Sequence, residues 1–97
     1  MKLLFLFLDG VGLGTDDPQH NPFARARMPV LQDLLAGERM LLSSAPLETN
    51  RASLLALDAC LGVPGLPQSA TGQTVLLTGQ NVPAQLGYHY GPNPTHR

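Results

Sequence analysis

Residues 3 to 8 read Leu-Leu-Phe-Leu-Phe-Leu, six apolar side chains without a break, and Asp9 follows at once. Successive side chains of a strand point to opposite faces, so a run with no polar alternation needs cover on both. Its length suits a strand better than a helix. The run therefore predicts the first strand of an α/β fold, a three-layer sandwich with a largely parallel sheet between helices. Asp9 then stands at the carboxyl end of that strand. In Asp9-Gly10-Val11-Gly12-Leu13-Gly14 the alternate glycines let the backbone turn tightly and approach a ligand closely. Thr15 to Asn21 is polar, and Pro18 and Pro22 argue against a helix there. A long loop at this end of a strand is where open α/β sheets place ligands.

Met28 to Gly37 predicts a helix, with Pro29 in the first turn, apolar residues at 30, 31, 34 and 35, and Gly37 as the C-cap. Its apolar stripe is expected to pack on the sheet. Met40 to Leu42 suits a short edge strand, and Ala45 to Thr49 reads as a connection. Ala52 to Leu61 fits either a strand with one slip or a helical turn or two, and reads as strand or irregular chain because Gly62, Pro64, Gly65 and Pro67 follow closely. Gln80 to Arg97 reads as loop, with Tyr88, His89, Tyr90 and His96 in it. The closing Gly91 to Arg97 shows no terminal element, and the expectation is of an N-terminal part of one larger domain that continues beyond the chain.

Only 13% of the 97 residues are charged, against about 25% in an average domain, which suggests that much of the chain faces other protein. Six Lys and Arg and a net charge of −1 exclude the electrostatic footprint of a nucleic-acid or anionic-membrane binder. No stretch approaches the ~20 apolar residues of a membrane helix, and the apolar run is shorter than the ~7–15 residues of a signal-peptide core, with no small-residue cleavage site after it. A lone Cys60 builds no disulfide framework, and the expected location is cytoplasmic.

The second informative stretch is Gly65 to Gly79, G-L-P-Q-S-A-T-G-Q-T-V-L-L-T-G. A proline-containing turn delivers Ser69, Thr71 and Gly72 to the start of a short helix that closes at Gly79. Free N–H groups and the positive end of a helix dipole point outward there, so an anion can be held beside a hydroxyl. Simpler roles exist for each residue. Asp9 before Gly10 is ordinary turn chemistry, and Ser69 and Thr71 suit helix caps. A dinucleotide fingerprint is absent, because Asp16, Asp17 and Pro18 interrupt the glycine run before any helix. His20, His89 and His96 lack the close pairing on one helix face that metal-binding histidines often show.

Taken in order, F-L-D-G-V-G with Asp9, Gly10 and Gly12, then M-P-V-L-Q-D-L with Pro29, Leu31 and Leu34, then G-L-P-Q-S-A-T-G with Gly65, Leu66, Pro67, Ser69 and Gly72, resemble the alkaline phosphatase-like metalloenzyme superfamily. The likeness is nearest to its branch of cofactor-independent phosphoglycerate mutase and phosphopentomutase, and spans Leu3 to Gly79. It implies that Asp9 is a metal ligand and that Ser69, with Thr71 as the fallback, is a nucleophile on the same metal. Gly10, Gly72 and Gln73 fall in the loops around substrate. The cofactors implied are two divalent ions, manganese or zinc, and the substrate a small phosphorylated molecule. A divalent cation makes such chemistry feasible near pH 7, since it can lower the pKa of bound water from 15.7 to about 7.

Two departures stand out. Gln73 occupies the place where the mutases usually carry histidine, and no later D-x-x-x-H segment follows Ser69 to complete the family's metal sites, the string of that form at Asp16 to His20 lying ahead of it. The expectation is thus a metal-dependent phosphohydrolase or phosphomutase of which this chain holds the front half, inactive by itself. The alternative is a non-catalytic interaction module with Asp9 in a turn and Ser69 in a helix cap.

Overall fold

Asn21 and Pro22 begin the first regular element. Asn21 is extended (φ −121°, ψ 107°) and its side chain accepts a hydrogen bond from the Phe23 N–H at 3.1 Å, while Pro22 at the first position has no N–H to leave unpaired. The result is α1, Pro22–Arg25. Residues 15 to 21 are loop, as expected, but Pro22 opens a helix, because its fixed φ suits a first turn. This is a computed structural model, and it describes residues 1–91. They fall into two units, Gly12–Leu57 and Met1–Val11 with the chain from Asp58 on.

In Gly12–Leu57, α1 is followed by α2, Pro29–Leu34. The predicted helix exists but stops before Gly37: Ala36 (φ 57°) and Gly37 (φ 93°) are left-handed, and the Gly37 N–H closes the end by donating to the Gln32 carbonyl at 2.8 Å. The apolar stripe is only partly used. Leu35 is buried, whereas Val30 is 73% exposed. Met40 to Leu42 forms no strand; a 3-10 turn, Leu42–Ser44, follows the buried Leu41. The regular strands are β1, Leu47–Glu48, and β2, Ser53–Leu54, antiparallel with Leu47 opposite Leu54 and Glu48 opposite Ser53. Ala52 to Leu61 is thus strand at Ser53–Leu54 and turn or irregular chain elsewhere.

Thr49 ties this hairpin to α2. Its hydroxyl donates to the Leu34 carbonyl at 2.7 Å and accepts from the Ala52 N–H at 3.0 Å. Arg39 meets Asp16 at 2.6 Å and Arg51 meets Asp33 at 2.8 Å, but both pairs lie at the surface, where such contacts are worth about 0–1 kcal/mol. The buried apolar residues of this unit are Ala24, Leu35 and Leu41.

The other unit is built on α3, Ser69–Thr78, and α4, Val82–Leu86, which pack together. As predicted, α3 begins at Ser69 and closes at Gly79, which is left-handed (φ 71°) and donates its N–H to the Val75 carbonyl at 2.8 Å. A Cβ at Gly79 would meet nothing within 4 Å, so the cost of a side chain there is that of the backbone alone. Gly79→Ala is expected to lower stability by about 1–2 kcal/mol, measured by urea unfolding of the intact chain. An unchanged midpoint would mean that α3 ends elsewhere in solution. The expected loop from Gln80 instead contains α4: Asn81 caps it through the Ala84 N–H at 3.2 Å, Pro83 sits in its first turn and Gly87 ends it in the left-handed region.

The expected three-layer sandwich is absent among the described residues. No parallel sheet forms, and the antiparallel β1–β2 pair is the whole of the regular strand content. Leu3 to Leu8, the predicted first strand, takes no regular structure: Leu3 is 87% and Leu4 88% exposed. The physical reason is that a strand is stabilised by its neighbours, which supply both hydrogen bonds and cover for its faces. No second uninterrupted apolar run of similar length occurs among residues 1–91 to pair with it. Gly91 shows no regular structure; the rest of the predicted terminal loop, with His96, lies outside the described residues.

Candidate functional site

The turn before α3 is held from three directions. The Asn81 side-chain amide donates to the Leu61 carbonyl at 3.1 Å, and the His89 Nε2–H donates to the Val63 carbonyl at 3.0 Å. The Thr71 N–H donates to the Tyr90 carbonyl at 3.0 Å. Gly65 (φ 104°) lies against the His89 ring, whose Cδ2 is 3.6 Å from where a Cβ would stand. These contacts place Gln68 in extended geometry (φ −125°, ψ 152°) as the N-cap, and its side chain makes no capping hydrogen bond. The cap role suggested by sequence for Ser69 and Thr71 therefore falls to Gln68.

Ser69 is the first residue of α3 and is half-buried. Among the described residues its hydroxyl has no hydrogen-bond partner, and the N–H groups of Ser69 and Ala70 are also unclaimed. These donors belong to the set that every helix N-terminus leaves without an internal partner. Thr71 differs. It is only 3% exposed, its N–H is engaged, and its hydroxyl lies 3.3 Å from the Gln68 carbonyl and 3.4 Å from that of Tyr90. Its interactions are those of a packing residue, which favours Ser69 of the two candidate nucleophiles.

Asp9 and Gly10 form a turn, with Gly10 at φ 73° and both residues exposed. The Asp9 carboxylate has no hydrogen-bond partner among the described residues, and no hydrogen bond joins it to Ser69. Gly72 lies in the first turns of α3 with its N–H donating to the Gln68 carbonyl at 2.9 Å, and a Cβ there would meet nothing within 4 Å, so packing does not demand glycine. Gln73 is exposed on the same helix. His89, which shows no metal-ligand spacing in the sequence, contacts the turn: with Nε2 on Val63, its Nδ1 is left as a buried acceptor without a partner among the described residues. Nothing in the isolated G-Y-H-Y-G string announces this, since the contact spans 26 residues.

The donor set does not fit the metal pair implied by the motifs. Among the described residues no three His, Cys, Asp or Glu side chains gather where they could hold an ion. Asp9 and Ser69 would offer one carboxylate and one hydroxyl, fewer than the three protein ligands of a typical catalytic site. No helix among the described residues is long and apolar enough to cross a membrane.

A scan against protein-family models, a search of curated proteins and a search of solved structures each return no match to this chain. The resemblance to the alkaline phosphatase-like superfamily rests on the quoted motifs alone.

Proposed function

We propose that this chain contributes the phosphate-binding part of a phosphoryl-transfer enzyme acting on a small phosphorylated substrate, with Ser69 as the hydroxyl that takes up the phosphoryl group. The observation that carries this reading is the state of the α3 N-terminus: Gln68 occupies the cap position, and the Ser69 hydroxyl and the Ser69 and Ala70 N–H groups are left unclaimed among the described residues. Two backbone donors on the positive end of a ten-residue helix suit a phosphoryl group. In the reaction, Ser69 Oγ bonds to phosphorus as the ester P–O bond breaks, the serine proton passing to the departing ester oxygen, and the phosphoryl group then moves from phosphoserine to water or to a second hydroxyl, whose proton restores the serine.

Asp9 is the metal-ligand candidate in this reading, and the remaining donors come from outside the described residues. The chain alone should then bind phosphate without turning it over. A cytoplasmic location belongs to the same reading, supported by the single Cys60. The rival reading, a non-catalytic interaction module, draws on the exposed Leu3–Leu8 run and on the Asp9-Gly10 turn.

Amide NMR during titration with inorganic phosphate separates them. Shifts concentrated at Ser69 and Ala70 are expected, weakened in Ser69→Ala, a variant that loses no hydrogen bond present in the described residues. Shifts absent from those two amides at saturating phosphate would sink the proposal and leave the module.

A further inference from the structure

The turn Leu61–Gln68 is held in a conformation that its own residues do not favour. Leu61 is left-handed (φ 53°), a region in which a side chain crowds the following carbonyl, and Gly62 (φ 79°) and Gly65 (φ 104°) lie there too. Two side chains oppose relaxation of the turn by donating to its carbonyls, Asn81 at Leu61 and His89 at Val63. The residue after His89 adds a third tie, since the Tyr90 carbonyl takes the Thr71 N–H at 3.0 Å. A carbonyl can only accept, so Nε2 of His89 carries a proton. Nδ1 of the neutral ring then carries none, and it is buried without a partner among the described residues.

We propose that His89 is a pH-operated latch: neutral, it holds the turn before α3 in its strained form, and protonated, it lets the turn go. Protonation places an N–H and a positive charge at Nδ1, which has no acceptor among the described residues. The charge strengthens the Nε2 bond to Val63, but a buried charged donor left unpaired costs more than one improved hydrogen bond returns. Leaving Val63 exposes the ring to water and removes that cost. No anion compensates it in place, because no salt bridge reaches the ring among the described residues. Residues 61 to 87, which include α3 and α4, contain no titratable side chain. Just ahead of the turn, the Asp58 carboxylate accepts from the Cys60 N–H at 2.9 Å, and the Cys60 thiol faces the Gly65 carbonyl at 3.8 Å. Tyr88 and Tyr90, on either side of His89, are exposed and pack edge to face on each other. The N-terminal segment supplies the terminal amine, Lys2 and Asp9, all exposed and none hydrogen-bonded to the ring. The inference stands apart from the phosphoryl-transfer reading, and its test contains neither phosphate nor metal.

The Thr71 amide is the reporter. It lies in the first turn of α3, where an N–H has no helical acceptor, and the Tyr90 carbonyl beside His89 holds it. Hydrogen exchange of the full chain is read as protection factors, which divide out the intrinsic pH dependence of exchange. Protection at Thr71 should fall by about tenfold between about pH 7.5 and about pH 5.5, because a proton taken up only by the open form shifts the balance by about tenfold per pH unit below its midpoint. His89→Gln should abolish the dependence, since its amide does not titrate whether or not it reaches Val63. His20→Gln combined with His96→Gln should keep it, as His89 is then the one imidazole in the chain. Long-range proton–nitrogen spectra at the higher pH should place the ring proton on Nε2. Thr71 protection that ignores pH, equal dependence in His89→Gln, loss of the dependence in the double variant, or a ring proton on Nδ1 would overturn the proposal.

Discussion

Leu41→Ala is expected to destabilise Gly12–Leu57 by about 2–5 kcal/mol, the usual range for deleting a buried leucine side chain. Leu41 is 3% exposed, and its companions in the core are only Ala24 and Leu35. A core this small has few atoms with which to fill the cavity, and whole domains are typically stable by only about 5–15 kcal/mol. One substitution therefore approaches the stability of the entire unit. Amide signals of Ala24 and Leu35 followed through a urea titration are the suitable probe, since the chain has no tryptophan and Tyr88 and Tyr90 belong to the other unit. Val30→Ala is the control: its side chain is 73% exposed, and a surface change of this kind usually stays within about 0.5 kcal/mol. Equal effects from the two substitutions would mean that Leu41 is not a core residue.

Ser69→Pro should leave α3 folded and weaken its phosphate binding by at least about tenfold. Proline is tolerated at the first helical position because the N–H it removes has no helical partner, and the preceding residue must be extended, as Gln68 is at φ −125° and ψ 152°. The substitution removes the Ser69 hydroxyl and one of the two unclaimed N–H groups in a single step. Hydrogen bonds to charged groups contribute about 1.5–3 kcal/mol each, so losing one should weaken binding by at least about tenfold. Calorimetric titration with inorganic phosphate reads the affinity, and far-UV circular dichroism reads the helix. Full affinity in a variant with intact helicity would remove Ser69 and the helix start from the proposed site.

The parts of the structure legible in the sequence are those controlled by neighbouring residues. Pro29 at a helix start, Gly79 in the left-handed region after Thr78, and the turn that delivers Ser69 to the first position of α3 each follow from local backbone preference. The same signals were present for α1 and α4: Asn21 before Pro22, and Asn81 ahead of Pro83 with Gly87 beyond. Proline argues against a helix in general, but at both places an asparagine just ahead of it caps a first turn that proline fits.

Leu3–Leu8 shows the opposite case. Its composition required cover on both faces, but composition cannot supply the strands that provide it, and the described residues contain none. The candidate site divides in the same way. That a hydroxyl would stand at the start of a helix was determined by Gly65 to Gly79 alone. Tertiary structure decided that Gln68 would be the cap, that Thr71 would be tied to Tyr90 while Ser69 remained free, and that His89 would reach back to Val63. Local preferences act over a turn of chain and can be read residue by residue. Burial and long-range hydrogen bonds depend on which distant segments meet, and those meetings exist only in the folded molecule.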